Sequence, residues 1–207
     1  MRKTAAPAVN GHGDPFAGAH KRIPVPCQTR ARQSKNPTDR RAQGWRVRAY
    51  REFVYSTRVS QHVNAPRPVV YRALLDPDAV AQWRAPAGMS SEVHTFEARE
   101  GGAFRVSLTY DSPDATGKSS SHTDTYHGRF VKLVPGEQVV EEFEFETANP
   151  DLAGVMTMTT TLTEAGGGTE VTVLHEGLPD VIPAADNETG TRMALANLAH
   201  LAESRPA

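Results

Sequence analysis

From residue 91 to residue 177 the chain repeats one pattern: a β-rich run, then a short cluster of turn formers. The pattern predicts strands at 91–99, 103–110, 121–134, 137–147, 154–164 and 169–177. The links between them are Gly101-Gly102, Asp111-Ser112-Pro113-Asp114, Pro135-Gly136, Asn149-Pro150-Asp151 and Ala165-Gly166-Gly167-Gly168. Such residues supply a positive φ, a preset φ or local side-chain hydrogen bonds. Links this short favour consecutive hairpins, hence an antiparallel meander. Apolar and polar residues alternate in Glu142-Phe143-Glu144-Phe145-Glu146, Met156-Thr157-Met158-Thr159 and Glu170-Val171-Thr172-Val173. Strands of this kind have one buried face and one wet face, and the wet face is expected to carry the Glu and Thr.

Helices bracket this meander. A first strand is expected over Phe53–Val63, then a helix starting near Asn64 and Pro66 with Val69, Val70, Ala73 and Leu74 as its apolar stripe. Asp76 caps a second short helix with Pro77 in its first turn, and Trp83 closes it. A last helix is expected from Ala185 to Ala202, where Ala194, Leu195, Leu198, Leu201 and Ala202 form one stripe. The class is α+β.

At 207 residues, with 38% hydrophobic and 23% charged, the chain fits one domain with room for a tail. The net charge of −1 conceals a division. Residues 1–50 hold 11 Lys and Arg against 2 Asp and Glu, whereas residues 51–207 hold 12 against 22. Residues 1–49 are rich in Arg and Pro and lack apolar periodicity. They have too little apolar surface to offset chain entropy, so a disordered basic tail is expected there and a folded domain over 50–207. Trp45 among Arg40, Arg41, Arg46 and Arg48 leaves open a tail for nucleic acid or an acidic partner, and a misplaced start codon is a third reading. The acidic body argues against nucleic-acid binding by the domain itself, because phosphate contacts need clustered Lys and Arg. No run approaches the ~20 apolar residues of a membrane-spanning helix, and no apolar segment follows Arg2 and Lys3 as it would in a secretory signal. Cys27 is the single cysteine, which excludes an intrachain disulfide and a Cys-based zinc site. A cytoplasmic location is the expectation.

Several motifs in fixed order carry a resemblance: Pro66–Trp83, Arg99-x-Gly101-Gly102-x-Phe104, Gly128-x-Phe130-x-Lys132-x-Val134-Pro135, and Gly168–Val173 followed by His175-Glu176-Gly177. Over residues ~52–203 the chain resembles the SRPBCC superfamily, which has the START-like helix-grip fold, and within it the family named after the activator of the heat-shock-protein-ninety ATPase. The resemblance implies a curved antiparallel sheet wrapped around a long C-terminal helix, two short helices after the first strand, and an apolar cavity between sheet and helix. Apolar gaps of this sort stay dry and accept apolar ligands. Candidate lining residues are the aromatic Trp83, Phe104, Tyr126, Phe143 and Phe145, together with Met156, Met158, His175, Met193 and Leu195. For each, simple core packing is the plain alternative. One departure is visible: relatives often carry a Trp early in the last helix, where this chain reads Thr189-Gly190-Thr191-Arg192-Met193. The Ser-rich loop Asp111–Ser121 is long and is expected to give the cavity a flexible mouth. Three functions follow from the resemblance: binding of a small hydrophobic or amphipathic ligand, an enzyme of the cyclase or dehydratase kind, and an accessory protein for a chaperone. No cofactor and no metal are expected, and no catalytic residue is assigned.

Candidate chemistry is sparse. On a strand, His122, Asp124 and Tyr126 share one face and could do acid–base work inside a cavity; a solvated hairpin face is the favoured reading. His175-Glu176 reads as a structural histidine near the closing helix, and Arg99 as a partner for an acidic neighbour on its turn. There is no Gly-x-Ser-x-Gly elbow, and Gly166-Gly167-Gly168 lacks the Lys-Ser/Thr of a phosphate loop.

Overall fold

The computed structural model describes residues 55–204. The tail expected at 1–49 and the opening residues Phe53 and Val54 of the expected first strand lie outside them. The elements in order are β1 (Thr57–Val63), α1 (Arg67–Leu75), α2 (Pro77–Trp83), β2 (Met89–Phe96), β3 (Ala103–Tyr110), β4 (Thr123–Val134), β5 (Gln138–Phe145), β6 (Met156–Ala165), β7 (Gly168–Glu176) and α3 (Ala184–Glu203). The strands form one antiparallel sheet in the order β1-β7-β6-β5-β4-β3-β2. Six strands are thus sequential neighbours, as the short links require, and β1 joins the far edge by pairing with β7. The sheet curls into a half-barrel that grips α3, with the two short helices following β1. This is the α+β helix-grip architecture.

Local chemistry explains the elements. Asp76 caps α2 by accepting from the Asp78 amide at 3.0 Å, with Pro77 in the first turn where a missing N–H costs nothing. Asn64 does not cap α1; its amide and side chain bind Glu203 at 2.8 and 3.1 Å, which ties the start of α1 to the end of α3. Register shifts in β2, between Val93 and Thr95, and in β4, between Phe130 and Lys132, bend the sheet. Gly128 in β4 is a close approach: a Cβ there would meet the Glu142 carbonyl oxygen and lie 2.7 Å from the Phe104 ring. The Phe104 ring therefore lies across the strand at that point.

Several strand ends differ from expectation by two or three residues, in β2, β4, β5 and β6. β2 stops at Phe96 rather than 99, because Glu97, Arg99 and Gly102 close a turn through their own backbone bonds. β4 begins at Thr123, and the loop before it folds back along the strand. Ser119 and Ser120 amides donate to the Thr123 carbonyl at 3.0 and 3.1 Å, and Ser119 Oγ donates to the Thr125 carbonyl at 2.7 Å. The loop expected to be a flexible mouth is pinned by its serines.

The core is lopsided. Val63, Val70, Ala73, Ala79, Val80, Leu198 and Ala202 are fully buried where α1 and α2 meet the C-terminal half of α3. Trp83 anchors this end, its Nε1 donating to the Ala73 carbonyl at 3.0 Å. The N-terminal half of α3 stands over the other end of the sheet, and the two surfaces part there.

Candidate functional site

The gap between them is a cavity of about 690 Å³, within the range of small-molecule sites. Its sheet wall comes from Met89 of β2 and from inward positions of β3 to β7, and its other wall from α3 and the segment after α2. Eight residues singled out from the sequence line it: Trp83, Tyr126, Phe143 and Phe145, with Met156, Met158, His175 and Leu195. Two do not. Phe104 is only 1% exposed and packs behind the cavity, its ring 5.3 Å from Phe130 and 6.4 Å from Tyr126. Met193 is 40% exposed, because α3 turns Thr191, Ala194 and Leu195 inward and leaves Met193 off that arc. The small Gly190 and Thr191 line the wall where an aromatic anchor was looked for.

The aromatic lining is contiguous. Phe143 lies 5.5 Å from Tyr126 and 6.3 Å from His175, and Phe145 lies 6.5 Å from Tyr126, all in tilted or edge-on contact. Such pairs hold ring orientations against the packing gaps beside them.

Two ion pairs that the sequence reading missed interrupt the apolar wall. Arg84, just after α2, places Nη2 2.6 Å from both oxygens of Glu141, which is 1% exposed. Its guanidinium also lies 5.3 Å from the Trp83 ring centre and 5.8 Å from that of Phe104. Burial alone would lower the Arg84 pKa; Glu141 and Tyr126 more than reverse this, so the group stays charged. At the outer end, Lys118 of the pinned loop pairs with Asp124, whose Oδ2 also accepts from the Tyr110 hydroxyl at 3.3 Å. Burial again works against the Lys118 charge, and the hydrogen bond and charge of Asp124, together with Tyr110, outweigh it. Arg84 and Lys118 thus each have a counter-charge, and the exposed Asp186 at the start of α3 adds a further carboxylate to the lining.

The acid–base candidates divide. Asp124 and Tyr126, for which a solvated hairpin face was the favoured acid–base reading, are both buried and line the cavity. His122 precedes the strand and binds the Ala115 carbonyl through Nδ1 at 2.7 Å, whereas His127 lies on the outer face between Glu144 and Glu146 at 3.4 and 3.5 Å. Arg99 pairs with Glu97 at 2.6 Å, away from the cavity. His175 reaches the wall from the end of β7, with Nδ1 3.2 Å from Asn187 Oδ1, which also accepts from the Thr57 hydroxyl. An amide oxygen only accepts, so Nδ1 carries the proton and Nε2 is the open acceptor. Burial pushes the His175 pKa down to about 4. A neutral imidazole this weakly basic is poorly matched to proton abstraction near pH 7. Asp124 is committed to Lys118, and burial raises the Tyr126 phenol. No group of three or more His, Cys, Asp or Glu among the described residues is arranged to hold a metal, and no described helix is long and apolar enough to cross a membrane.

Residues 64–203 match the model of the family described as Activator of Hsp90 ATPase homolog 1-like protein. No curated protein matches the chain. Among solved structures, protein CV1439 from Chromobacterium violaceum is similar at 33% identity and a TM-score of 0.64, over 72% of this chain and 98% of that one. A protein from Rhodobacter sphaeroides is similar at 19% identity and a TM-score of 0.60, over 73% and 95% of the two chains. DynU16, a protein of the dynemicin biosynthetic locus, is similar at 22% identity and a TM-score of 0.52, over 72% and 47%. At their identities, the last two speak for the fold alone.

Proposed function

The chain belongs to the activator of Hsp90 ATPase homolog 1-like family, and from that premise we propose that it binds a small hydrophobic or amphipathic molecule in the cavity between sheet and α3. One observation carries the reading: a space of about 690 Å³ walled by aromatic and methionine side chains, in a domain whose other end is densely packed. Burying apolar surface is worth about 25 cal/mol per Å², so an apolar guest gains affinity from the walls without any special contact. Methionines suit such a wall, since their flexible thioethers adapt to guests of different outline. An enzyme of the cyclase kind would need a base of ordinary strength, which His175 is not. A role beside a chaperone, which the family's name suggests, would use the outer surface and is compatible with a filled cavity.

Native mass spectrometry of the full chain purified from its source cell tests the proposal. An added mass that vanishes on denaturation supports it and gives the class of the guest. A bare mass, with no shift across a panel of lipids and polyketides, overturns it and leaves the chaperone reading, to be tested by pull-down.

A further inference from the structure

The polar atoms of the cavity are unevenly supplied, and the imbalance specifies a guest. Arg84 has five N–H donors. Glu141 occupies Nη2, Tyr126 is approached by Nη1 at a long 3.5 Å, and Nε is buried without an acceptor among the described residues. Glu141 has both oxygens engaged by the same nitrogen. Arginine only donates, so the Tyr126 oxygen is the acceptor in that approach and its own proton points elsewhere. Among the described residues no acceptor is placed for that proton. Asp124, two residues away on the same face, is held by Lys118 and Tyr110. Inside the wall, then, the Tyr126 hydroxyl is a donor in want of an oxygen, backed by a guanidinium that polarises it.

Charge narrows the choice. Arg84 is matched by Glu141 and Lys118 by Asp124, His175 is neutral, and Asp186 adds an exposed carboxylate at the start of α3. An anion would meet no uncompensated cation and would lose its hydration, which is costly in an apolar enclosure. A neutral oxygen acceptor satisfies the donor without that loss. The rings of Phe143 and Phe145 stand beside the Tyr126 ring, at 5.5 and 6.5 Å between ring centres.

Building on the binding reading above, we propose that the cavity selects uncharged, ring-bearing molecules that carry a carbonyl group, with the carbonyl oxygen accepting from the Tyr126 hydroxyl. Tyr126 sets the position of the guest, and Arg84 acts through Tyr126 as a positioning residue.

The test uses the full chain and three naphthalene probes that differ at one substituent: the 6-propionyl-2-dimethylamino ketone, the parent 2-dimethylaminonaphthalene, and the corresponding 6-carboxylate. Emission of the ketone moves to longer wavelength when its carbonyl accepts a hydrogen bond. The expected result is tighter binding of the ketone than of the other two, with hydrogen-bonded emission. Tyr126→Phe, which keeps the ring and its packing, should weaken the ketone about tenfold, as loss of one hydrogen bond in an enclosed site implies. It should also shift its emission to the blue and leave the parent's affinity unchanged. Ketone and parent binding equally to the wild type, or a Tyr126→Phe variant that binds both as the wild type does, overturns the carbonyl anchor and leaves the apolar cavity standing. Tighter binding of the carboxylate overturns the requirement for an uncharged guest. If no probe binds the wild type at all, the binding reading itself fails, and this inference with it.

Discussion

At the scale of single residues, His175 is the group whose surroundings contradict its chemistry most. Its pKa falls from 6.5 to about 4 because burial disfavours the charged ring. Between those values the unfolded chain binds the proton and the folded chain does not, so folding stability rises with pH across the window and is lost on acidification through it. The full effect is about 3 kcal/mol. Denaturation midpoints measured from pH 7 to pH 4 should fall steeply in the wild type and less steeply in His175→Gln; equal slopes would refute the assignment. Residues also show where sequence reading succeeds and where it stops. Phe143 and Phe145 were legible because alternation with Glu fixes their phase. Glu141 shares that phase two positions earlier, yet a run of alternating glutamates reads as one wet face. Only the arrival of Arg84, 57 residues away in the chain, makes a buried carboxylate tolerable. Long-range compensation of this kind leaves no local mark. Met193 failed for the opposite reason: an apolar residue one step off a helical stripe looks like part of it.

At the scale of elements, the sheet was legible almost throughout, since turn chemistry punctuates every hairpin. The pinned loop before β4 was not, because serine hydroxyls bonding to a neighbouring strand resemble a mobile linker in sequence. Helix α3 carries a weak point at Gly190, in its interior. A Cβ there would find only the Pro86 ring, at 4.0 Å. Glycine in a helix interior costs about 1 kcal/mol relative to alanine. Gly190→Ala should therefore raise the melting temperature by a few degrees, as a gain near 1 kcal/mol does in a domain of this size. A fall on thermal unfolding would mean that the helix needs the glycine at that position.

At the scale of the whole molecule, dense packing and open cavity occupy opposite ends. Leu198 is fully buried among the helices, whereas Met158 borders empty space. Leu198→Ala should cost about 2–5 kcal/mol, because it opens a void in packed surroundings. Met158→Ala enlarges a void that already exists and should cost well under half of that. Comparable losses in chemical denaturation would show that the cavity end is packed as tightly as the other. A domain built this way tolerates substitutions along the cavity wall while the helical end keeps the fold.

The pairing of β1 with β7 also sets a clock. Val59 lies opposite Val173, so β1 waits for β7, the last strand among the described residues. At roughly 5–20 residues per second, that wait is on the order of ten seconds. Throughout it the strand's backbone groups have no native partner and the cavity has no rear wall. Long-range closure of this sort is slow even in the finished chain. The sheet, and with it the cavity wall that β7 supplies, is therefore completed only after Gly168–Glu176 has been made.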